Sequence, residues 1–262
     1  LLAWIALVPI LVAIARRPSP VRALILGWAA GTVFFYATCY WLTYSMIHYG
    51  GLPTVLAYLL LIPGAVVIGI FPGLFALFMA LVVRRWGHTA LLFAPVFWTA
   101  LEWARLGVTG QLWNAMGYSQ AYNSLLIQAA AIGGVYAVSF LILAINSAIA
   151  LLVVKRTLWT ITAALLTVLF VGIVIGAGAM PSGVFSAPDT SLAVVAVQPN
   201  VPMNPVKSVA ETRELIERHL ALSKQGLEQI KDGSQRLVVW PESPMNFTYT
   251  ADRSLQELVA NF

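Results

Sequence analysis

The sequence predicts a multi-pass α-helical membrane bundle followed by the start of an α/β domain. Three observations carry this. Of 262 residues, 60% are hydrophobic and only 10% charged, where a soluble domain carries about 25% charged residues. Mean hydropathy is +0.85. The acids are segregated: of ten, only Glu102 precedes Asp189. Residues 1–188 hold eight Lys/Arg against that one acid, and residues 189–262 hold seven against nine. This composition excludes a disordered chain, a coiled coil and an ordinary water-soluble enzyme. The pI near 9.5 describes basic loops and not one basic face, so no nucleic-acid partner is expected.

A membrane helix needs about 20 mostly apolar residues. Six runs qualify or nearly do. Residues 1–15 are short, residues 23–47 form the second span, and residues 54–83 the third, in which Pro63 and Pro72 predict a kink. Spans four to six cover residues 89–106, 124–154 and 158–179. Arg16, Arg17 and Arg22 follow the first, Arg84 and Arg85 the third, and Lys155 and Arg156 the fifth. The loop after the second, HYGGLPT, has no Lys or Arg, and the segment after the fourth has only Arg105. Positive loops stay in the cytoplasm, so the HYGG loop, the WNAMGYSQAYN loop and everything after about residue 180 face outward. The chain starts at Leu1 and ends inside a helical pattern, DRSLQELVANF. It is therefore read as a fragment open at both ends, and no signal peptide is visible.

The composition changes at a Pro/Gly/Ser-rich linker, PSGVFSAPDT, residues 181–190. Beyond it, SLAVVAV (191–197) reads as a short buried strand and QPNVPMNP as a turn-rich loop. Residues 208–231 show helical spacing ended by Gly233, and RLVVW (236–240) is a second buried strand stopped by Pro241. Another helix begins at residue 252. This order opens a layered α/β domain with adjacent parallel strands, and residues 191–262 are too few to complete it.

Glu242 follows the second strand directly, in VVWPES. Acids at the carboxyl ends of such strands sit where open α/β sheets gather their sites. Beside Trp240 and Pro241 this carboxylate is either a desolvated proton acceptor or a solvated turn residue. Glu102 and Arg105, at i and i+3, share a helix face near an outer membrane end. They are either a structural pair admitted together to the bundle or a means of placing Arg105 against a lipid headgroup. Trp113, Tyr118 and Tyr122 form an interfacial aromatic belt or the lip of a site. Cys39, the single cysteine, lies inside FFYATCYWL and reads as a small buried hydrophobe, so no intrachain disulfide or thiol-metal cluster is available. His48, His88 and His219 are scattered and read as non-catalytic. Gly133, Gly134, Ala137 and Ser139 form a small-residue patch for close helix packing.

LVVWPES behind a strand ending in VAVQPNVP resembles the start of a nitrilase-superfamily (carbon–nitrogen hydrolase) domain. Following several membrane helices, it resembles one family closely, the bacterial apolipoprotein N-acyltransferases. The runs LLAWIALVPILVAI, FFYATCYWLTYSMIHYGGLP and FWTALEWARLGVTGQLWNAMGYSQAYN carry the likeness into the membrane part. The resemblance implies a nitrilase-like α-β-β-α fold for residues 191–262 and a location in the bacterial inner membrane, with those residues periplasmic. It implies a phospholipid acyl donor and a diacylglyceryl apolipoprotein acceptor, with membrane lipid around the bundle. The implied chemistry is a Cys thioester, with a Glu as general base and a Lys holding the oxyanion. No cofactor or metal is implied. Only Glu242 corresponds to that catalytic set. Cys39 and Lys207 precede it and do not match, and Val206-Lys207-Ser208 lacks the Trp the family often places after a lysine in this loop. Apart from what the resemblance implies, Arg105, Trp113, Tyr118 and Trp240 are the candidate substrate contacts. The partner Lys and Cys are expected beyond residue 262, as are further spans at each end, so these 262 residues alone are expected to be inactive. Two other readings remain open. One is a transporter-like membrane protein with an external α/β appendage. It is disfavoured because only Glu102 and Arg105 are ionisable inside spans. The other is a membrane-embedded nitrilase-type amidase, for which six spans exceed what an anchor needs.

Overall fold

A backbone that enters lipid must satisfy its own N–H and C=O groups, and the apolar runs do so as helices. The computed structural model describes residues 2–179, 192–201, 208–230, 235–241 and 253–260. The chain divides into two compact units, Leu1–Pro181 and Ser182–Phe262. In the first, a 3-10 turn at Leu2–Trp4 leads into α1 (Val8–Arg16), α2 (Pro20–Thr38), α3 (Leu42–His48) and α4 (Thr54–Trp86). After these come α5 (Ala94–Thr109), α6 (Ala130–Val154) and α7 (Leu158–Ala179), with short 3-10 turns at His88–Phe93, Met116–Gln120 and Leu126–Ala129. Among the described residues, five helical segments are long and apolar enough to cross a membrane, and Leu2–Arg16 is a shorter apolar one. Leu158, Leu165, Leu166, Leu169 and Ile173 of α7 point outward without charged neighbours, the surface that lipid requires.

Two details differ from expectation. The second span is not continuous to residue 47, because α2 ends at Thr38 and a short α3 follows. α4 remains one helix through Pro63 and Pro72. α6 is broken where Gly133 (φ −153°, ψ 30°) and Gly134 (φ 61°, ψ −155°) leave helical geometry. Only Gly takes the Gly134 backbone without strain. Both glycines are exposed, so they turn the chain rather than pack helices, which corrects the small-residue reading.

Close packing belongs to α2 and α4. A Cβ on Gly27 would lie 2.6 Å from the Pro72 carbonyl, and one on Gly31 2.8 Å from the Pro72 ring. A Cβ on Gly69 would lie 2.8 Å from the Thr32 amide nitrogen. Two G-x-x-x-G pairs, Gly27/Gly31 and Gly69/Gly73, thus face each other and let the backbones touch. The Pro72 ring occupies the groove that Gly31 leaves open, which gives this proline a partner inside a helix.

The core gathers on α6 with Leu11, Phe75, Met79, Leu91, Ile142, Leu143 and Leu151. Fully buried Asn146 stands among them. Its Oδ1 accepts from the Leu7 amide (2.9 Å), and its Nδ2 donates to the carbonyls of Ala3 and Ile142 (2.9 Å each). It thereby pairs backbone groups at the start of α1 that no helix satisfies.

In the second unit, β1 (Leu192–Ala196) and β2 (Gln235–Val239) pair in parallel, from Leu192 opposite Gln235 to Ala196 opposite Val239. α8 (Val209–Glu228) joins them, as the alternating pattern predicts. Ser208 and Glu211 form a capping box at its start. α8 stops at Glu228, short of Gly233, which lies outside the described residues. A Cβ on Gly226 would meet the Val195 side chain, so α8 rests on one face of the pair. Leu192, Val194, Leu237 and Val239 are exposed, so these strands are not buried on both faces as expected. α9 (Arg253–Ala260) is the last element. The linker 181–190 and Lys207 lie outside the described residues.

Two outcomes follow for stability. Gly69→Val forces α2 off α4 and lowers thermal stability in detergent by about 1–3 kcal/mol. Gly64→Val, where nothing lies within 4 Å, serves as the matched control and changes little by comparison. Asn146→Leu orphans the Leu7 amide and the Ala3 carbonyl and lowers stability by about 1–3 kcal/mol, read by the same thermal melt.

Candidate functional site

Between α1, α2, α4 and α5 lies a cavity of about 750 Å³, within the usual range of small-molecule sites. Its walls are apolar: Ala6 and Ile10 at the N-terminal segment, Phe34 and Phe35 on α2, Phe71 and Phe75 on α4. Its polar groups come from Thr38, Glu102, Arg105, Asn114, Tyr118 and Ser119.

These groups are held by the segment after α5. Gly110 ends α5 in the left-handed conformation (φ 67°), and the chain folds back onto the bundle. Asn114, also at positive φ (55°), donates to Thr38 Oγ1 (2.9 Å) and Cys39 Sγ (3.0 Å). The Met116 amide donates to Glu102 Oε1 (2.7 Å), which also accepts from Trp98 Nε1 (2.9 Å). The Gly117 amide donates to Ser139 Oγ on α6 (2.8 Å). Trp4 Nε1 donates to Gln120 Oε1 (3.1 Å). A Cβ on Gly117 would run into the Val135 carbonyl, so only glycine lets the segment come this close. From this segment Asn114, Ala115, Met116, Tyr118 and Ser119 form one wall of the cavity.

Glu102 and Arg105 are 5% and 4% exposed, and both line the cavity, as their shared helix face predicts. They are not an ion pair. Among the described residues the pairs are Arg213–Glu217 and Arg253–Glu257, both exposed on helices of the second unit. Arg105 Nη1 donates to the Trp113 carbonyl (2.7 Å), and its guanidinium carbon lies 5.2 Å from the centre of the Phe35 ring. Each charge thus hydrogen-bonds to its own neighbours, with Glu102 Oε2 left without a partner, and their proximity keeps the buried end near neutrality.

The other expected residues separate. Tyr118 lines the cavity with its ring half exposed. Trp113 is not among the lining residues. Its carbonyl holds Arg105, and its ring meets Trp41 edge-on at 5.3 Å. Cys39 is buried, as expected of a small hydrophobe. Trp240 belongs to the second unit, where its Nε1 donates to Ser223 Oγ (2.9 Å) and its ring lies 5.2 Å from His219. Ser223 Oγ in turn donates to the His219 carbonyl (2.7 Å). This ties the end of β2 to α8. His219 itself is fully buried. Glu242 lies outside the described residues. No group of three or more His, Cys, Asp or Glu converges among the described residues.

Sequence reasoning missed Asn114, Gln120 and Trp98. Asn114 carried a usable signal, since Asn is enriched at positive φ. Trp98 stands at i−4 to Glu102, a helical hydrogen-bonding distance.

Comparison with known proteins agrees with this architecture. The family model described as the apolipoprotein N-acyltransferase N-terminal domain matches residues 1–148. An apolipoprotein N-acyltransferase of Geobacter metallireducens is 36% identical over 149 residues, 55% of this chain and 28% of that protein. One from Shewanella oneidensis is 30% identical over 207 residues, 78% of this chain and 38% of that protein. One from Rhodopseudomonas palustris is 26% identical over 258 residues, 94% of this chain and 46% of that protein. The chain thus spans less than half the length of these curated relatives. By the family match, which takes in more than half of its residues, this chain belongs to the apolipoprotein N-acyltransferase family.

Proposed function

We propose that the protein containing this chain moves a fatty acyl chain from a membrane phospholipid to the N-terminal amine of a diacylglyceryl-cysteine lipoprotein. The observation that carries this reading is the apolar cavity in the membrane-spanning unit, ending at buried Glu102 and Arg105. Such a space suits an acyl chain whose polar end stays beside the guanidinium.

In this reading Glu242 is the general base, placed two residues after Trp240 at the carboxyl end of a parallel strand. The nucleophilic cysteine and the oxyanion-stabilising lysine come from sequence outside residues 1–262. Glu242 takes the thiol proton, and the thiolate attacks the phospholipid ester carbonyl. The glycerol oxygen leaves with that proton, and a thioester remains. The lipoprotein amine then attacks the thioester while Glu242 takes its proton, and the acyl chain ends in an amide. Trp240, held by Ser223, anchors the end of the strand that precedes Glu242 in sequence. The basic loops support an inner-membrane placement with the α/β unit on the periplasmic face. Arg105 meets the phospholipid headgroup.

In the whole protein, Glu242→Gln lowers acyl transfer by about 10²–10⁴-fold with thermal stability retained, and full transfer by that variant would falsify the assignment. Arg105→Ala raises the KM for phospholipid about tenfold with folding unchanged. Loss of expression instead would assign Arg105 to structure alone.

A further inference from the structure

Three basic pairs, Arg16–Arg17, Arg84–Arg85 and Lys155–Arg156, stand exposed where α1, α4 and α6 end, with Arg22 exposed near the start of α2. Ile14 and Ala15 of α1, Val83 of α4 and Leu151 of α6 meet in one core beside them, so these cations gather at one end of the bundle. Glu102, the single acid of this unit, is buried against the cavity instead. None of the seven cations is in an ion pair among the described residues.

The pair on α4 differs from the other two. Arginines in the last turn of a helix commonly cap its carbonyls. Here the Val83 carbonyl accepts from the Gly87 amide (2.8 Å) and the Trp86 carbonyl from Thr89 Oγ1 (3.3 Å). Arg84 and Arg85 have no hydrogen-bond partner among the described residues. Beside them, rings from α4, the 3-10 turn and α5 form a continuous row. Trp86 lies 5.7 Å from Phe93, Phe93 6.5 Å from Phe97, and Phe97 6.0 Å from Phe78. The row faces outward, since Trp86, Phe93 and Phe78 are 57%, 46% and 37% exposed. From Trp86 back to Phe78 is about 12 Å along the helix, within the roughly 15 Å that one leaflet contributes to the hydrocarbon core. Lys155 and Arg156 instead adjoin the aliphatic surface of α7, where Trp159 has no ring partner among the described residues.

A guanidinium holds a phosphate through parallel N–H donors, and flat rings give a hydrocarbon chain contact area. Arginines that only faced water would need no row of rings beside them, and a surface that only faced lipid would need no unpaired arginines. A phospholipid answers both. Charge then selects the headgroup, because an ammonium brought among seven cations is repelled, whereas a net negative headgroup is attracted.

We infer that an anionic phospholipid docks on the outside of the bundle, with its phosphate on Arg84 and Arg85 and one chain along Trp86, Phe93, Phe97 and Phe78. None of these residues lines the cavity, and the inference does not depend on acyl transfer. The lipid is a bound partner here and not a reactant.

The test is lipid binding to the whole protein in detergent, followed by native mass spectrometry. The probes are the dioleyl ethers of phosphatidylglycerol and phosphatidylcholine, which hold no ester to cleave, and glycerophosphoglycerol, the same anionic headgroup without chains. The unaltered protein binds the phosphatidylglycerol ether about tenfold more tightly than the choline ether, and the difference shrinks as salt rises. Arg84→Gln with Arg85→Gln abolishes the preference. Lys155→Gln with Arg156→Gln removes the same charge and keeps most of it. Trp86→Ala weakens both ethers about threefold and leaves the preference intact. Equal binding of the two ethers by the unaltered protein overturns the inference. So does an equal loss from both double variants, which would leave only a diffuse attraction to total charge. Binding of glycerophosphoglycerol as tight as that of the lipid assigns the arginines to a free phosphate ester and likewise overturns it, and unchanged affinity in Trp86→Ala overturns the placement of the chain. Should the double glutamine variant not fold, Arg84→Lys with Arg85→Lys, which keeps the charge and loses the planar fork, is read in its place and narrows the preference.

Discussion

An amide without a partner inside an apolar bundle is costly, and three side chains of the membrane unit prevent it at three points outside the α-helices. Asn146 takes the Leu7 amide, Glu102 the Met116 amide and Ser139 the Gly117 amide. Each reaches backbone far away in sequence, and each sits on one of the helices α5 and α6 that frame the irregular segments. These contacts let non-helical backbone lie against the bundle without a buried polar debt. The cavity depends on them, because residues 114–119 supply its polar wall.

The same bundle needs one tight contact and one loose one. Where α2 meets α4, facing glycines bring the backbones together. Gly27 and Gly31 also border the cavity, where Phe34, Phe35, Phe71 and Phe75 form the sides. Small residues set the helix separation, and large aromatic residues then shape the space beside it. Glu102 joins the two themes. It pins the loop with one oxygen, and the other is buried without a hydrogen-bond partner.

In the second unit a comparable economy appears. The indole of Trp240 is anchored on Ser223 and lies by His219, so the strand end is held by a helix that precedes it in the chain. The parallel pair of β1 and β2 carries α8 over one face.

Composition and periodicity determined the number of apolar helices, the parallel order of strand, helix and strand, and the shared face of Glu102 and Arg105, because these follow from residue type and local spacing. The capping box at Ser208 and Glu211 is equally local, although sequence reasoning passed over it. Tertiary structure alone decided the rest. Pro72 stands inside α4 with its ring against Gly31, forty-one residues earlier, while α6 breaks at Gly133 and Gly134. Glu102 and Arg105 do not bond to each other because the loop reaches them first, offering Glu102 the Met116 amide and Arg105 the Trp113 carbonyl. Helical spacing states which residues share a face, but the partners of buried polar groups are set by distant backbone, and that is known only once the chain has packed.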